Sequence, residues 1–249
     1  MPSIGYNNLF ETGTVSVDSE DASYLKENAY DWLAYPGDVW KPATSGTHYI
    51  TVDMASAVSA DYFGIHSHDI DSIKLQYSND NFAEDINDVG SAITPTANEI
   101  IYSEFASISS RYWRFEVIKV SAASSLGVIA LGEKLTIPES VQVGFSPANL
   151  ARNNMYLNSV SDTGAFLGRR LIRNGSEMDL SFELLTPAFV RNFWDVFIQH
   201  AEIKPFFFAW DYANYPSEAF YCWTKKKIPK PVYNLPNFMQ AKLKVNANI

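Results

Sequence analysis

The chain has 249 residues, of which 47% are hydrophobic and 14% aromatic, and its formal net charge is -9. This length fits one large or two ordinary domains, and so much apolar and aromatic surface excludes a disordered protein. A single cysteine, Cys222, excludes a disulfide framework and a zinc site built from cysteines. No apolar run approaches the about 20 residues of a membrane-spanning helix, and the first residues lack a signal-peptide pattern. We therefore expect no membrane insertion, and folding in a reducing compartment.

The charge is unevenly distributed along the chain. Residues 1–135 hold 19 of the 28 acidic and 7 of the 19 basic residues, a net charge of -12. Residues 136–249 hold the other 9 acidic and 12 basic residues, a net charge of +3. The acidic part repels phosphate backbones, so we expect no nucleic-acid partner. The asymmetry predicts two domains, residues 1–135 and residues 136–249.

Residues 1–135 have the pattern of an all-β domain. Short segments alternate apolar and polar residues, the period of a half-buried strand, and turn residues such as Pro36-Gly37-Asp38 separate them. The strands predicted in this way cover residues 49–54, 62–66, 72–78, 100–102, 112–118 and 126–131. Many short strands at such spacing are typical of an antiparallel sandwich.

Residues 136–249 predict an α+β domain with a mostly antiparallel sheet. Strand-like segments cover residues 140–145, 180–185, 206–210, 219–223 and 239–247, and a polar loop follows the first of them. One helix is expected from Pro187 to about Glu202, with Thr186 as its N-cap. Its predicted buried stripe contains Phe189, Phe193 and Phe197.

Motifs that would indicate catalysis are absent from the sequence. No glycine-rich phosphate loop, nucleophile elbow or zinc-protease helix occurs, so we expect neither an enzyme nor a cofactor. His66-Ser67-His68-Asp69 lacks a third spaced ligand, and we interpret it as a polar loop rather than a metal site. The acidic segment around Glu84-Asp85 is interpreted as solvated loop charge, with a bound calcium ion left open. We assign Cys222, between two aromatic residues, to the core.

Residues 30–42 concentrate four aromatic residues around a Pro-Gly turn. Trp32 and Trp40, with Asp38 and His48, would form a ligand platform if exposed, since sugars stack on aromatic faces and bind carboxylates. The alternative is that both tryptophans close one end of the sandwich.

The first domain resembles the discoidin family, the coagulation factor 5/8 C-terminal type. The resemblance is carried by Trp40, Tyr49-Ile50-Thr51-Val52-Asp53-Met54, Ile73-Lys74-Leu75-Gln76-Tyr77-Ser78-Asn79-Asp80 and Arg111-Tyr112-Trp113-Arg114-Phe115. It implies a galactose-binding-like jelly roll over about residues 5–135. The two terminal cysteines of the eukaryotic members are missing, and no ligand residue of the family can be transferred.

The second domain is similar to tail-tip proteins of long-tailed bacteriophages, especially distal tail and minor tail proteins. The features are an early strand, Gly168-Arg169-Arg170-Leu171-Ile172-Arg173-Asn174-Gly175, a Phe/Trp-rich helix, Lys204-Pro205-Phe206-Phe207-Phe208-Ala209-Trp210-Asp211 and a closing strand. This resemblance implies a ring-forming domain, with six copies as the expected order, and contacts to other tail proteins of the tube and hub. It also implies a location in the virion tail tip, assembled in the bacterial host cytoplasm.

Two functions therefore remain open after the enzyme hypothesis is set aside. The first is a structural tail-tip protein whose outer module binds host-surface glycans, and the second is a carbohydrate-binding adhesion protein that recognises a host receptor. For the first, we predict self-association of the second domain through an apolar patch. The predicted patch contains Trp194 and Phe207, and Arg169, Arg170 and Arg173 are expected to meet acidic surfaces of a partner at the same interface.

Overall fold

The computed structural model describes residues 1–96, 99–173 and 175–248, with only the backbone described at Arg173. The chain divides into two compact units, one of residues Ser3–Thr136 and one of Met1–Pro2 with Ile137–Ile249. Every strand pair among the described residues is antiparallel, and most of the regular structure is strand. The predicted mostly-β fold class, with one helix in the second unit, is confirmed.

The N-terminal unit is a β-sandwich built on two long strands. Its strands are β1 (Ser3–Gly5), β2 (Thr14–Val17), β3 (Gly46–Asp69), β4 (Ser72–Ser78), β5 (Asn87–Ile93), β6 (Ile101–Lys119), β7 (Ser125–Gly132) and β8 (Leu135–Thr136), with 3-10 helices at Leu9–Glu11 and Lys26–Ala29. The larger sheet has the order β2-β3-β6-β4-β5, β7 also pairs with β3, and β1 pairs with β8. Segments predicted as separate strands are continuous, because residues 49–54 and 62–66 both belong to β3.

Two irregularities divide β3 into halves that pair with different strands. Its pairing register with β6 shifts between Asp53 and Val58 and again between Ala60 and Tyr62. Ala55, within the first shift, has a φ of 61°, and its N–H donates to Asp53 Oδ1 over 2.7 Å. The first half of β3 pairs with β2 and the second half pairs with β7. Such bulges bend a strand, so one strand serves both parts of the sandwich.

The core of this unit is aromatic and contains residues of the discoidin-like pattern. Phe115 stacks on Phe10 at 5.8 Å between ring centroids and meets Phe63 edge-on at 5.6 Å. Asp53 and Arg111, from two of the pattern's segments, form a bidentate ion pair with N–O distances of 2.8 and 2.9 Å. The adjacent guanidinium lowers the pKa of Asp53. Paired charges on neighbouring strands help to fix their register.

The C-terminal unit contains an antiparallel sheet, a hairpin and a helix. Its strands are β9 (Met155–Val160), β10 (Phe166–Arg173), β11 (Ser176–Leu185), β12 (Phe206–Ala209), β13 (Ala219–Thr224), β14 (Val232–Leu235) and β15 (Phe238–Asn248). The sheet runs in the order β11-β15-β13-β12, with β14 paired to the start of β15. The predicted alternation of β15 is confirmed, because Met239, Ala241, Leu243, Val245 and Ala247 are all buried.

The segment predicted as a strand at residues 140–145 is a turn. Phe145 N–H donates to the Gln142 carbonyl oxygen over 3.2 Å, and Gly144 has a φ of 98° that favours glycine. Val143 is fully exposed. Alternation alone suggested a strand, but the neighbouring glycine allows the chain to turn.

The helix begins where the sequence predicts. Thr186 Oγ1 accepts from Phe189 N–H over 3.2 Å, and the helix comprises α-helical Pro187–Phe189, π-helical Val190–Trp194 and α-helical Asp195–Ala201. Its predicted buried stripe was correct at Phe197 and wrong at Phe193. The buried residues are Val190, Trp194, Phe197 and Ala201, whereas Phe193 is 54% exposed. Trp194 packs edge-on against Phe182 and Phe197 at 5.7 and 5.4 Å, so it is not the exposed interface residue that we predicted.

Phe207 also differs from its predicted interface position. Alternation along β12 placed it opposite Phe206 and Phe208 on an exposed face, yet all residues of Phe206–Ala209 are buried. Phe206 packs on Phe197 at 4.9 Å, and Phe207 packs on Tyr221 at 5.3 Å. A strand buried on both faces is a continuous apolar run and presents no patch to a partner.

Arg169 and Arg170 lie on β10, and both are exposed, while the side chain of Arg173 lies outside the described part. Arg169 Nε donates to Asn158 Oδ1 over 2.7 Å, and its guanidinium lies 4.7 Å from the Tyr156 ring centroid. β9 and β10 pair with each other and form a separate two-stranded sheet. This hairpin occupies the region predicted as a polar loop.

Replacing Trp194 and its neighbour Phe193 separately tests which side of the helix is buried. We expect Trp194→Ala to lower the free energy of unfolding by roughly 3–5 kcal/mol, because it empties a filled aromatic site. Phe193→Ala should change it by less than about 0.5 kcal/mol, as is usual for surface positions. Urea denaturation at low protein concentration measures both, and equal losses would contradict the buried face described above.

Candidate functional site

An exposed tyrosine marks the loop that crosses one end of the N-terminal unit. The N–H groups of Gly37 and Asp38 donate to the Tyr35 carbonyl oxygen over 2.8 and 3.0 Å, with Pro36 at the second position of this turn. Proline favours that position because its φ is already fixed. The Tyr35 side chain is 72% exposed. The turn therefore presents an aromatic ring to solvent.

Trp32 and Trp40 do not form the ligand platform that we predicted. Their exposed fractions are 1% and 0%. Trp32 Nε1 donates to Glu11 Oε1, and Trp40 Nε1 donates to the Ser19 carbonyl oxygen over 3.2 Å. Both indoles are large apolar groups whose N–H finds a partner inside the protein, which favours burial over exposure. The two tryptophans hold the loop in place. The alternative interpretation, in which both pack inside the unit, is therefore correct.

His48 does not form part of the predicted ligand platform either. It is 7% exposed, near the start of β3, with Nδ1 2.9 Å from Asp18 Oδ2 and Nε2 3.1 Å from the Thr44 carbonyl oxygen. Both ring nitrogens are occupied by groups of the protein. His48 therefore supports the local structure and is not available for a ligand.

Asp38 stays at the site, beside a carboxyl group that the sequence analysis missed. Asp31 accepts from Leu33 N–H over 2.8 Å. Desolvation of the Asp31 carboxyl, together with the nearby Asp38 carboxylate, raises the pKa of Asp31 to about 6. Two carboxylates this close resist ionising together, so they favour a shared proton or a ligand that donates hydrogen bonds.

A cavity of about 170 Å³ adjoins the turn. It is lined by Pro36, Val39, Lys41, Ser67, His68 and Ser125. The Lys41 ammonium lies 4.0 Å from the centroid of the Tyr24 ring, which keeps its stem in place. His68 Nε2 donates to the Glu99 carbonyl oxygen over 2.7 Å. The cavity thus combines hydroxyl groups, an ammonium group and a small apolar wall.

Backbone geometry shapes this cavity. Trp40 and Leu126 exchange two backbone hydrogen bonds of 2.8 and 3.1 Å, which fasten the loop to β7. Ser67 has a φ of 58°, and a Cβ added to Gly127 would lie 2.9 Å from the Ser67 carbonyl oxygen. Only glycine permits this approach between β3 and β7.

His66 and His68 form part of β3 rather than the polar loop that we expected. Burial, with a smaller effect from His68, lowers the pKa of His66 to about 4. Within residues 1–96, 99–173 and 175–248, no group of three or more His, Cys, Asp or Glu side chains is arranged to hold a metal ion. Cys222 is buried as predicted, and burial raises the pKa of its thiol.

The acidic segment at residues 80–85 folds around one of its own carboxylates. Asp80 accepts from the N–H groups of Ala83, Glu84 and Asp85 over 2.8 to 3.1 Å. Hydrogen bonds from Ser78 and these amides lower the pKa of Asp80 to about 2. Glu84 and Asp85 are therefore loop residues around a local turn.

No helix among the described residues is long and apolar enough to cross a membrane.

The sequence signal for the site was present but was assigned to the wrong side chains. The Pro-Gly turn is exposed and Asp38 is half-buried, whereas Tyr35, Asp31 and Lys41 were not singled out from the sequence. Tyrosine directly before a Pro-Gly turn is forced towards the tip of a loop, and loop tips are exposed. That position could have distinguished Tyr35 from the two tryptophans.

A scan against protein-family models gave no match, and a search of curated proteins gave none either. Among solved structures, the chain is similar to chitosan-binding module 2 of a chitosanase/glucanase from Paenibacillus sp. IK-5, in complex with chitotriose (18% identity, TM-score 0.43, 50% of this chain and 99% of that one). It is similar to a Clostridium perfringens carbohydrate-binding module in complex with GalNAc-β-1,3-galactose (14% identity, TM-score 0.42, 49% of this chain and 96% of that one). It is also similar to a Ruminococcus gnavus fucosidase in complex with fucose (14% identity, TM-score 0.45, 52% of this chain and 27% of that one). Nothing about the ligand of this chain follows from these similarities.

Asp31→Asn tests whether the two carboxylates are coupled. A raised carboxyl pKa means that the charged form costs free energy in the folded state above about pH 6, and that this cost disappears towards pH 4. The amide keeps the acceptor for Leu33 N–H, so we expect a stabilisation at pH 7.5 of at most about 1 kcal/mol, limited by solvent screening. Thermal unfolding between pH 4 and 7.5 measures it.

Asp21→Asn is the matched control, because Asp21 Oδ1 accepts from Ser23 N–H over 2.8 Å in the same kind of turn. A stabilisation by Asp31→Asn that is independent of pH, or as large for Asp21→Asn, would contradict the coupling.

Proposed function

We propose that the N-terminal unit binds a carbohydrate at the Tyr35 turn. The observation that carries this proposal is the exposed Tyr35 ring, in the same loop as two interacting carboxyl groups and as three residues that line a polar cavity. A sugar ring has an apolar face of C–H groups and a rim of hydroxyl groups. An exposed aromatic ring suits the face, and carboxylate, hydroxyl and ammonium groups suit the rim.

The polar groups divide the recognition of hydroxyl groups between them. Asp31 and Asp38 accept hydrogen bonds from a sugar, and donors from the ligand would relieve the repulsion that raises the pKa of Asp31. Lys41 donates, and Ser67 and Ser125 can donate or accept. A neutral or amine-bearing saccharide matches this set better than an acidic one, since the unit's net charge is strongly negative.

We propose that this site binds without cleaving its ligand. Retaining glycosidases hold their two carboxyl groups about 5 Å apart and inverting ones about 6.5–9.5 Å apart, which leaves room for the scissile bond. Asp31 and Asp38 belong to one loop, and the Asp38 carboxylate contributes to the raised pKa of Asp31. We therefore expect the two groups to accept hydrogen bonds from a ligand together, rather than to stand on opposite sides of a scissile bond.

Tyr35→Ala should weaken glycan binding by roughly 1 kcal/mol or more, a loss of about fivefold or greater, because it removes the stacking surface. The probes are a glycan array, followed by calorimetry with any ligand detected and with chitotriose and GalNAc-β-1,3-galactose. Tyr215→Ala is the control, because Tyr215 is 49% exposed in the other unit.

Two results would contradict this function. One is the absence of binding to any glycan by the full chain, and the other is equal binding by the Tyr35→Ala variant and the unaltered protein. Release of reducing ends from a bound polysaccharide would contradict binding without cleavage.

We also propose that the chain is a structural component of a phage tail tip, a distal or minor tail protein in the virion. The supporting observations are the resemblance of residues 136–249 and the hairpin β9–β10, whose apolar side chains are exposed. A self-associating domain of this kind would form a ring that links tube and tip, assembled in the host cytoplasm.

Replacing Phe166 and Leu167 together by serine should reduce self-association of the full chain by at least about tenfold, because each side chain buries apolar surface in a contact. Sedimentation velocity over a range of concentrations measures this. Val143→Ser, which removes a fully exposed apolar residue elsewhere in the same unit, is the control. A chain that remains monomeric at all concentrations, in buffer and with other tail proteins, would contradict the structural function.

A further inference from the structure

A cavity of about 420 Å³ lies in the C-terminal unit. It is lined by residues 140–145, which form the turn that follows the unit's first residues, and by Trp210, Asp211 and Asn214. Small-molecule sites in proteins commonly have about 300–1,000 Å³, with mostly aromatic or apolar walls and a few polar groups. The cavity has this size and this composition.

The half-buried indole of Trp210 is held in one orientation by its neighbours. Its Nε1 donates to Glu218 Oε2 over 2.6 Å, and Tyr215 stacks on it with 4.9 Å between ring centroids and 21° between ring planes. Asn149 Nδ2 donates to the other carboxylate oxygen of Glu218 over 2.8 Å. A side chain fixed in this way loses little further conformational entropy when a ligand contacts it.

Phe145 is the second aromatic side chain of the cavity. Its ring centroid lies 5.9 Å from that of Trp210, with 52° between the two ring planes, and it meets Phe208 edge-on at 6.5 Å. Gln142 N–H donates to the Ser181 carbonyl oxygen over 2.8 Å, which fastens the turn to β11. Two rings at this angle suit a rounded group better than a flat sugar ring, which needs one open aromatic face.

The charged side chain that lines the cavity is negative. This side chain is Asp211, and among the described residues around the cavity none is a lysine, arginine or histidine. Asp211 Oδ2 accepts from Asn214 Nδ2 over 2.7 Å, and Oδ1 lies 3.9 Å from the Met1 ammonium, whose side chain is 66% exposed. That distance is too long for a hydrogen bond, so Oδ1 faces a space that an ammonium group can enter.

We propose that this cavity binds an organic cation with a methylated ammonium head, of which choline is the simplest probe. The faces of Phe145 and Trp210 attract a cation, and the Asp211 carboxylate adds its charge to that attraction. A primary ammonium group has three N–H groups that need acceptors, whereas a trimethylammonium group has none. Two rings and one carboxylate therefore match the methylated head. This site belongs to the unit without the Tyr35 turn, and it depends on neither of the functions proposed above.

An NMR titration of the full chain with choline tests the proposal. We expect a dissociation constant of about 1 mM or below. The neutral analogue 3,3-dimethylbutan-1-ol has the shape of choline without its charge, and it should bind at least about tenfold more weakly. Ethanolamine, which carries a primary ammonium group, should bind at least about threefold more weakly than choline.

Two variants test whether the named residues hold the cation. Phe145→Leu keeps an apolar side chain but removes one ring, and it should weaken choline binding at least about threefold. Asp211→Asn keeps an acceptor for the neighbouring amide but removes the charge, and it should weaken binding about fivefold. Thermal unfolding verifies that both variants are folded. If Phe145→Leu does not fold, Asp211→Asn alone decides the outcome.

The matched controls lie on the helix of the same unit. Phe193→Leu removes an aromatic ring that is 54% exposed. Asp195→Asn removes a carboxylate whose Oδ2 accepts from Gln199 Nε2 over 3.3 Å, so it also keeps an acceptor for an amide. Both controls should bind choline as the unaltered chain does.

The outcomes are separable from those of the glycan site. The proposal is overturned if the folded chain does not bind choline, or if the neutral analogue binds as tightly. It is also overturned if Phe145→Leu and Asp211→Asn bind choline as the unaltered chain does, or if the controls lose as much affinity. Tyr35→Ala should leave choline binding unchanged, and Asp211→Asn should leave glycan binding unchanged, so either site can fail without the other.

Discussion

Backbone pairing along β3 is the constraint on which the N-terminal unit depends. This strand pairs with β6 over most of its length and changes partner on its other edge from β2 to β7. The change occurs at the irregular segment around Ala55 and Ala60. A shift of one residue here would turn Ile50 and Val52 outward and bring polar residues into the core. The Asp53–Arg111 pair opposes that shift, because its bidentate geometry requires one register.

The candidate site depends on the same pairing, because the second half of β3 and β7 form the floor under the Tyr35 turn. The loop is fixed to β7 by the Trp40–Leu126 hydrogen bonds, and it buries its tryptophans in doing so. Composition indicated that residues 30–42 were special, and spacing identified the turn. Neither could show which aromatic ring faces solvent, because this depends on hydrogen bonds to Glu11 and Ser19, which are distant in sequence. The condition for a tryptophan platform, exposure of Trp32 and Trp40, is therefore not met.

In the C-terminal unit, too, features set by neighbouring residues were predictable, and features set by contacts distant in sequence were not. The helix N-terminus was predictable, since Thr186 and Pro187 act on their immediate neighbours. Its buried side was not, because two adjacent apolar stripes both recur at helical spacing and only Phe182 and Phe206 decide between them. The hairpin was missed for a related reason. Its strands are apolar on both faces, so they lack the alternation that identifies a half-buried strand.

Exposed apolar residues are distributed unevenly between the two units. Of the described residues, five large apolar side chains are exposed in Ser3–Thr136, and twenty in the C-terminal unit. The N-terminal unit carries a large negative charge, which repels other copies, and of its described tyrosines only Tyr35, in the candidate site, is exposed. The C-terminal unit has little charge to keep copies apart. The exposed apolar surface is thus concentrated in the unit that does not contain the candidate site.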